Sequence, residues 1–185
     1  MKENDYRVYL DLEYCYPEMT PEKGRPDENE KRQIVQISAI LFDNHTGKEV
    51  TSFDVLTWPA FEKKLPPFFV ELTNITDSQL TTNAIDFPTA LKSLVDFVKN
   101  YPIWTFNADW GVLQQNCSYF GIAYPFEDLP FIKVKPLLSG WKIDADAYSS
   151  GTLYQAAGLE MYGHVHNALH DVRSMAQAVH VFEKM

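Results

Sequence analysis

Val8, Leu10 and Leu12 alternate with Tyr9, Asp11 and Glu13, the two-residue period of a half-buried strand. Tyr14 to Arg32 breaks the pattern with three prolines, one glycine and many charges, which predicts a long exposed loop. The run Gln33 to Phe42 is almost continuously apolar or β-branched and predicts a second strand. Asp43-Asn44-His45-Thr46-Gly47 is turn chemistry, and it leads into a third strand over Glu49 to Leu56. The chain therefore opens as an antiparallel meander.

The period then changes. Leu91, Leu94, Val95 and Val98 after Phe87-Pro88 follow the helical repeat. Ile103 to Phe106 is a short buried strand, and Asp109 opens a helix that carries Leu113 and Cys117 and stops at Gly121. Phe131 to Val134 predicts a last short strand. Helices are expected at Pro136 to Ser139, Gly151 to Ala157 and Leu169 to Phe182. An antiparallel meander followed by strand and helix alternation predicts a mixed α/β sheet with helices on its faces. The length of 185 residues fits one domain over 1–185, with no internal repeat.

No apolar run approaches the roughly 18–20 residues that span a bilayer. Met1 to Asp5 lead into the first strand without the apolar segment of a signal peptide. Two distant cysteines, Cys15 and Cys117, make no disulfide framework and no zinc knuckle, so a reducing cytoplasm is expected and a membrane partner is not. Charge adds a restriction. Sixteen basic against twenty-five acidic residues leave a net −9 and a pI near 4.9, without the basic stripe of a protein that grips long polyanions.

Some of the acidic residues are placed for chemistry. Asp11 and Glu13, two apart on a strand, point to one face about 6.5 Å apart along the backbone, a spacing suited to two hard cations. A solvated strand face shows the same alternation. Asp109 sits where a strand turns into a helix, a place that helix-capping aspartates also occupy. His166 precedes the last helix and Asp171 falls in its opening turns. His164 and His166 form an H-x-H pair without the cysteines of a zinc site. His170 and His180 lie on the last helix as packed or surface residues.

In order along the chain, D-x-E on a strand, an aspartate at a strand-to-helix junction and H-x4-D entering the last helix resemble the DEDDh exonucleases, the DnaQ-like and RNase-T-like group. The likeness runs from about Tyr6 to Phe182. Glu71-Leu72-Thr73-Asn74-Ile75-Thr76 is similar to that group's L-T-G-I-T segment, with Asn74 at the usual glycine, a mild change because asparagine also tolerates a left-handed backbone. Asp11-Leu12-Glu13-Tyr14, Leu65-Pro66-Pro67-Phe68-Phe69 and the stretch Phe131 to Ser139 look closest to the branch containing KapD and the enhanced-RNAi and histone-mRNA 3′ exonucleases.

The resemblance implies a ribonuclease-H-like five-stranded sheet and a two-metal 3′–5′ exonuclease using Mg²⁺ or Mn²⁺. It implies that Asp11, Glu13 and Asp171 hold one cation, that Asp11 bridges to the second with Asp109 acting through water, and that His166 is the general base. Four carboxylates would be neutralised by two divalent cations. Leu72, Thr73 and Phe69 are implied at the substrate end, although Leu72 also suits a core and Phe69 suits one equally well. Lys133, Lys135 and Lys142 are candidate phosphate contacts or a solvated face. The expected partner is the 3′ end of a single strand, RNA ahead of DNA, and a homodimer is an admissible assembly. A DNA-directed proofreading exonuclease and a catalytically silent nucleic-acid-binding module are the alternatives. The second has no physical need for four carboxylates that repel phosphate.

Overall fold

The computed structural model describes residues 6–17, 19–22 and 30–185. Met1 to Asp5 and much of the Tyr14–Arg32 segment, on which the absent signal segment and the long loop were expected, lie outside the described residues. Five strands form one sheet, β1 (Tyr6–Cys15), β2 (Gln33–Asp43), β3 (Lys48–Leu56), β4 (Ile103–Thr105) and β5 (Phe131–Lys133). Their order is β3-β2-β1-β4-β5, with β1, β2 and β3 antiparallel and β4 and β5 added in parallel. This is the predicted mixed sheet, with β1 at its centre.

Burial of β1 on both faces corrects one expectation. A half-buried strand would leave one face wet, yet Val8, Tyr9 and Leu10 are all fully buried. Helices cover both faces. Val8, Leu10 and Leu12 pack with Phe87, Leu91, Leu94 and Val98 of α3 (Phe87–Val98) and with Val112, Leu113 and Cys117 of the helix Asp109–Tyr119. On the other face, Tyr9 meets Val172, Met175, Val179 and Phe182 of the helix Ala168–Phe182. Burial of each such aliphatic or aromatic side chain contributes about 1.5–3 kcal/mol. Cys15 and Tyr16, expected in an exposed loop, are buried as well.

Two short helices were not predicted, α1 (Pro67–Thr73) and α2 (Asp77–Asn83). Seven residues are too few for a periodic stripe, and only local capping marks them. Thr76 and Gln79 form a reciprocal capping box at the start of α2. Asn74 ends α1 with φ 60°, the left-handed turn anticipated for an asparagine in place of glycine. The remaining helices are α4 (Asp109–Tyr119), α5 (Leu153–Ala156) and α6 (Ala168–Phe182). The helix expected at 136–139 is a 3₁₀ segment, Lys135–Trp141, and a 3₁₀ turn, Ser150–Thr152, precedes α5.

Candidate active site

The site forms where three element ends meet. Asp11 and Glu13 lie near the carboxyl end of β1, on the face turned toward α6. Because β4 runs parallel to β1, its carboxyl end lies on the same edge of the sheet, and there Asp109 opens α4. Asp171 sits in the first turn of α6 and His166 just before that helix's cap, Asn167. Crevices at the carboxyl ends of strands are the usual ligand sites of open α/β sheets.

Asp11, Glu13 and Asp171 are buried, and Asp109 is half-buried. One ligand atom from each of Glu13, His166 and Asp171 lies within 4.8 Å of the others. Asp11 feels the charges of Asp109, Asp171 and Glu13, so all four carboxylates share one electrostatic site. Loss of solvent is the largest influence on each. It raises Asp11 and Glu13 well above the ordinary carboxylate range, with mutual repulsion adding to it. Asp109 is pushed up to about 6 and Asp171 to about 7. The Ser150 hydroxyl works against the rise at Asp11 and Asp171, and the charge of Arg32 works against it at Asp109.

Magnitudes show what this cluster needs. Two carboxylates about 5 Å apart repel by about 3 kcal/mol at an effective dielectric of about 20. A hydrogen bond such as that of Ser150 returns about 1–3 kcal/mol. Four charges cannot be held together this way without protons or cations. Among the described residues, Asp109 Oδ2 and Asp171 Oδ1 are buried oxygens with no hydrogen-bond donor. Orphaned carboxylate oxygens beside further acids and an imidazole make a donor set that suits a hard divalent cation.

Neighbouring residues hold the donors in place. Ser150 Oγ donates to Asp171 Oδ2 at 3.2 Å. Gly151 packs so closely that a Cβ there would collide with the Asp171 carboxylate. His170, one residue earlier, is buried and holds the Gly151 carbonyl through Nε2 at 3.2 Å. On β2, Gln36 lies opposite Glu13, and its Oε1 accepts the Ala168 backbone N–H at 3.1 Å, fixing the start of α6 against the sheet. His166 has φ 68°, a left-handed backbone that a non-glycine residue rarely adopts. Desolvation first, then the neighbouring His164, lowers its pKa and favours the neutral imidazole.

Not every candidate faces the crevice. Phe69 has no exposed surface and packs with Cys15, Val35, Leu65, Ile75 and Leu80. No base can stack on it, and its expected place at the substrate end is corrected to a core one. Thr73 is also buried. Its hydroxyl donates to the Phe69 carbonyl and accepts from Ile75 N–H, closing α1. Leu72 is half-buried, and its carbonyl meets His164 Nε2 at 2.9 Å. His164 thus ties α1 to the segment bearing His166. Lys135 pairs with Asp146 at 2.9 Å, and Lys133 lies over Trp110. Ser150 and Gln36 carried no signal in the sequence, Gly151 stood only as the start of an expected helix, and His164 stood out only as half of an H-x-H pair.

A family model described as exonuclease, of the RNase T type, matches residues 8–179. The chain belongs to the exonuclease family. Human 3′-5′ exoribonuclease 1 is 24% identical, and the rat protein of the same name 22%; each alignment covers 94% of this chain. The chain spans about half (51%) of the length of these relatives. The nuclease domain of 3′hExo, described as a DEDDh family member bound to rAMP, superposes with a TM-score of 0.82 at 22% identity, covering 97% of this chain and 92% of that one. An E. coli ExoI–ssDNA complex superposes at 0.71 with 14% identity, over 98% of this chain and 41% of that one. The exonuclease fold thus accounts for the whole sheet and its helices. No helix among the described residues is long and apolar enough to cross a membrane.

Proposed function

We propose that this exonuclease releases nucleoside 5′-monophosphates from the 3′ end of single-stranded RNA by hydrolysis supported by two Mg²⁺ or Mn²⁺ ions. The observation that carries the proposal is the convergence of four desolvated carboxylates, two with orphaned oxygens, beside a half-buried histidine. Asp11, Glu13 and Asp171 would hold one cation, with Asp11 and Asp109 serving the second. The cations supply charge neutralisation of the phosphate, acidification of the attacking water and stabilisation of the leaving oxygen.

The chain's own residues do the rest. His166, kept neutral, accepts a proton on its free imidazole nitrogen from the water that attacks phosphorus. The bond from phosphorus to the 3′ oxygen breaks, and that oxygen leaves with the electron pair and is then protonated. Leu72, whose backbone carbonyl meets His164, would stand beside the substrate end. RNA is favoured because the relatives that cover most of this chain carry the name exoribonuclease. The ssDNA complex among similar folds keeps DNA as the second reading. One domain over 1–185 would carry the reaction, in a reducing cytoplasm suited to the free, buried Cys15 and Cys117.

With 5′-labelled RNA, the reading predicts a ladder that shortens from the 3′ end and stops with EDTA. His166→Ala should lower turnover at least about 100-fold, within the range of lost general-base catalysis, while Mn²⁺ binding by calorimetry is largely kept. Unchanged turnover would remove His166 from the role of base.

A further inference from the structure

An acidic exonuclease still has to hold the strand behind the terminal nucleotide, and one strip of its surface is built for that. Arg32 lies near enough to the site for its charge to act on Asp109 and Tyr14, and also on Tyr119 at the far end of α4. Its Nε donates to Gln115 Oε1 at 3.2 Å, and its carbonyl accepts from the buried Asn116 amide at 2.9 Å, so the backbone is clamped to α4. Next to it, Lys31 Nζ stands 4.2 Å over the ring of Phe61. Phe61 packs edge-to-face on Tyr119, with centroids 5.0 Å apart, yet remains 49% exposed. Its backbone N–H is held by Gln33 Oε1 at 2.6 Å. Lys63 and Lys64, on the same segment, are exposed. In a chain of net charge −9, Lys31 over this exposed ring, with Arg32 beside it in sequence and Lys63 and Lys64 following Glu62, gathers four cations on two neighbouring segments.

α4 connects this strip to the carboxylates, with Arg32 held at Gln115 and Phe61 against Tyr119. α4 begins at Asp109 and ends at Tyr119, a distance of about 15 Å at 1.5 Å per residue, enough for a few nucleotides. Cations beside exposed aromatic faces are the combination by which single strands are held without regard to sequence, phosphates on one and bases on the other. We propose that Arg32, Lys31, Lys63 and Lys64, with Phe61 held edge-to-face against Tyr119, form a binding track for the nucleotides upstream of the scissile end of a single-stranded nucleic acid. This deepens the exonuclease reading and rests on it. A protein partner is the competing occupant, and it would not discriminate by oligonucleotide length.

The test combines binding with chain length. Fluorescence anisotropy of a 5′-labelled decanucleotide is measured with Ca²⁺ replacing the catalytic cation, for the unmodified protein, Phe61→Ala and Lys31→Glu. Both side chains are exposed, so folding is not at stake. Each variant should bind the decamer about 10-fold more weakly, as loss of one stacked base or phosphate contact predicts, and Lys31→Glu should show a shallower salt dependence. In hydrolysis, the ratio of decamer to dinucleotide KM should rise about as much. Unchanged anisotropy, or an equal loss on decamer and dinucleotide, would overturn the track. If the unmodified protein binds the decamer through Phe61 but cuts neither substrate, the exonuclease reading fails while the track stands.

Discussion

The two faces of β1 are made from the same ten residues and obey opposite rules. On one, Val8, Leu10 and Leu12 are close-packed against α3 and α4, and each apolar contact supports its neighbours. On the other, Tyr9 begins in the same manner against α6, but Asp11 and Glu13 then bury charge against charge. The first face stabilises the fold and contributes no chemistry. The second costs stability in the metal-free protein and is the face suited to cations. The contrast teaches where to look for function in a sheet: at the carboxyl end of the central strand, where local rules of burial are broken together by several elements.

Breaking each face in turn should separate the two roles. Asp11→Asn is expected to cut nuclease activity by about 1,000-fold or more while leaving the metal-free Tm equal or higher, because one mutual repulsion is gone. Leu10→Ala should do the reverse. It should cost about 2–5 kcal/mol in denaturant unfolding, the usual range for a truncated core leucine, with residual folded protein still active. If Asp11→Asn unfolded the protein, the carboxylate would belong with the structural face.

A subtler break leaves every donor present. Gly151→Ala would place a methyl group against the Asp171 carboxylate, which must then turn away. Mn²⁺ affinity should fall about 10–100-fold, as is common when a supporting residue of a metal site is disturbed. Calorimetry reads this directly, and unchanged affinity would mean that the Ser150–Thr152 turn yields instead.

The smallest expected effect is a pH trend. Desolvation raises the four acids, with Asp109 near 6 and Asp171 near 7. Between about pH 4, where these groups ionise in the unfolded chain, and about pH 7, the folded state binds more protons than the unfolded one. Stability of the metal-free protein must therefore fall as pH rises through that window. With EDTA, Tm should drop by several degrees from pH 5 to pH 8. With Mn²⁺ the trend should flatten or reverse, because the cation binds the deprotonated acids. A metal-free Tm that rises with pH would contradict the burial of these charges.

Much of this contrast was legible along the chain. The period of two in β1, the apolar run of β2 and the helical stripe of α3 announced themselves, while Asp11 and Glu13 stood on the first strand and Asp109, His166 and Asp171 at helix starts. What could not be read depends on distant contacts. That β1 is covered on both sides follows from where α6 packs, some 160 positions later. Seven-residue helices such as α1 are too short for periodicity, so Phe69 could be a stacking ring or a core one until its neighbours were known. Gln36 and Gly151 matter only through Ala168 and Asp171, which lie far from them in sequence.

The central claim is that the polar face of β1, loaded with divalent cations, cuts RNA from its 3′ end. It is tested most directly by incubating the protein with 5′-labelled single-stranded RNA in Mn²⁺, beside EDTA and Asp11→Asn controls. The account predicts a ladder of products shortened stepwise from the 3′ end, absent from both controls. Early release of the 5′ label as a mononucleotide, or a ladder that persists in EDTA, would contradict it.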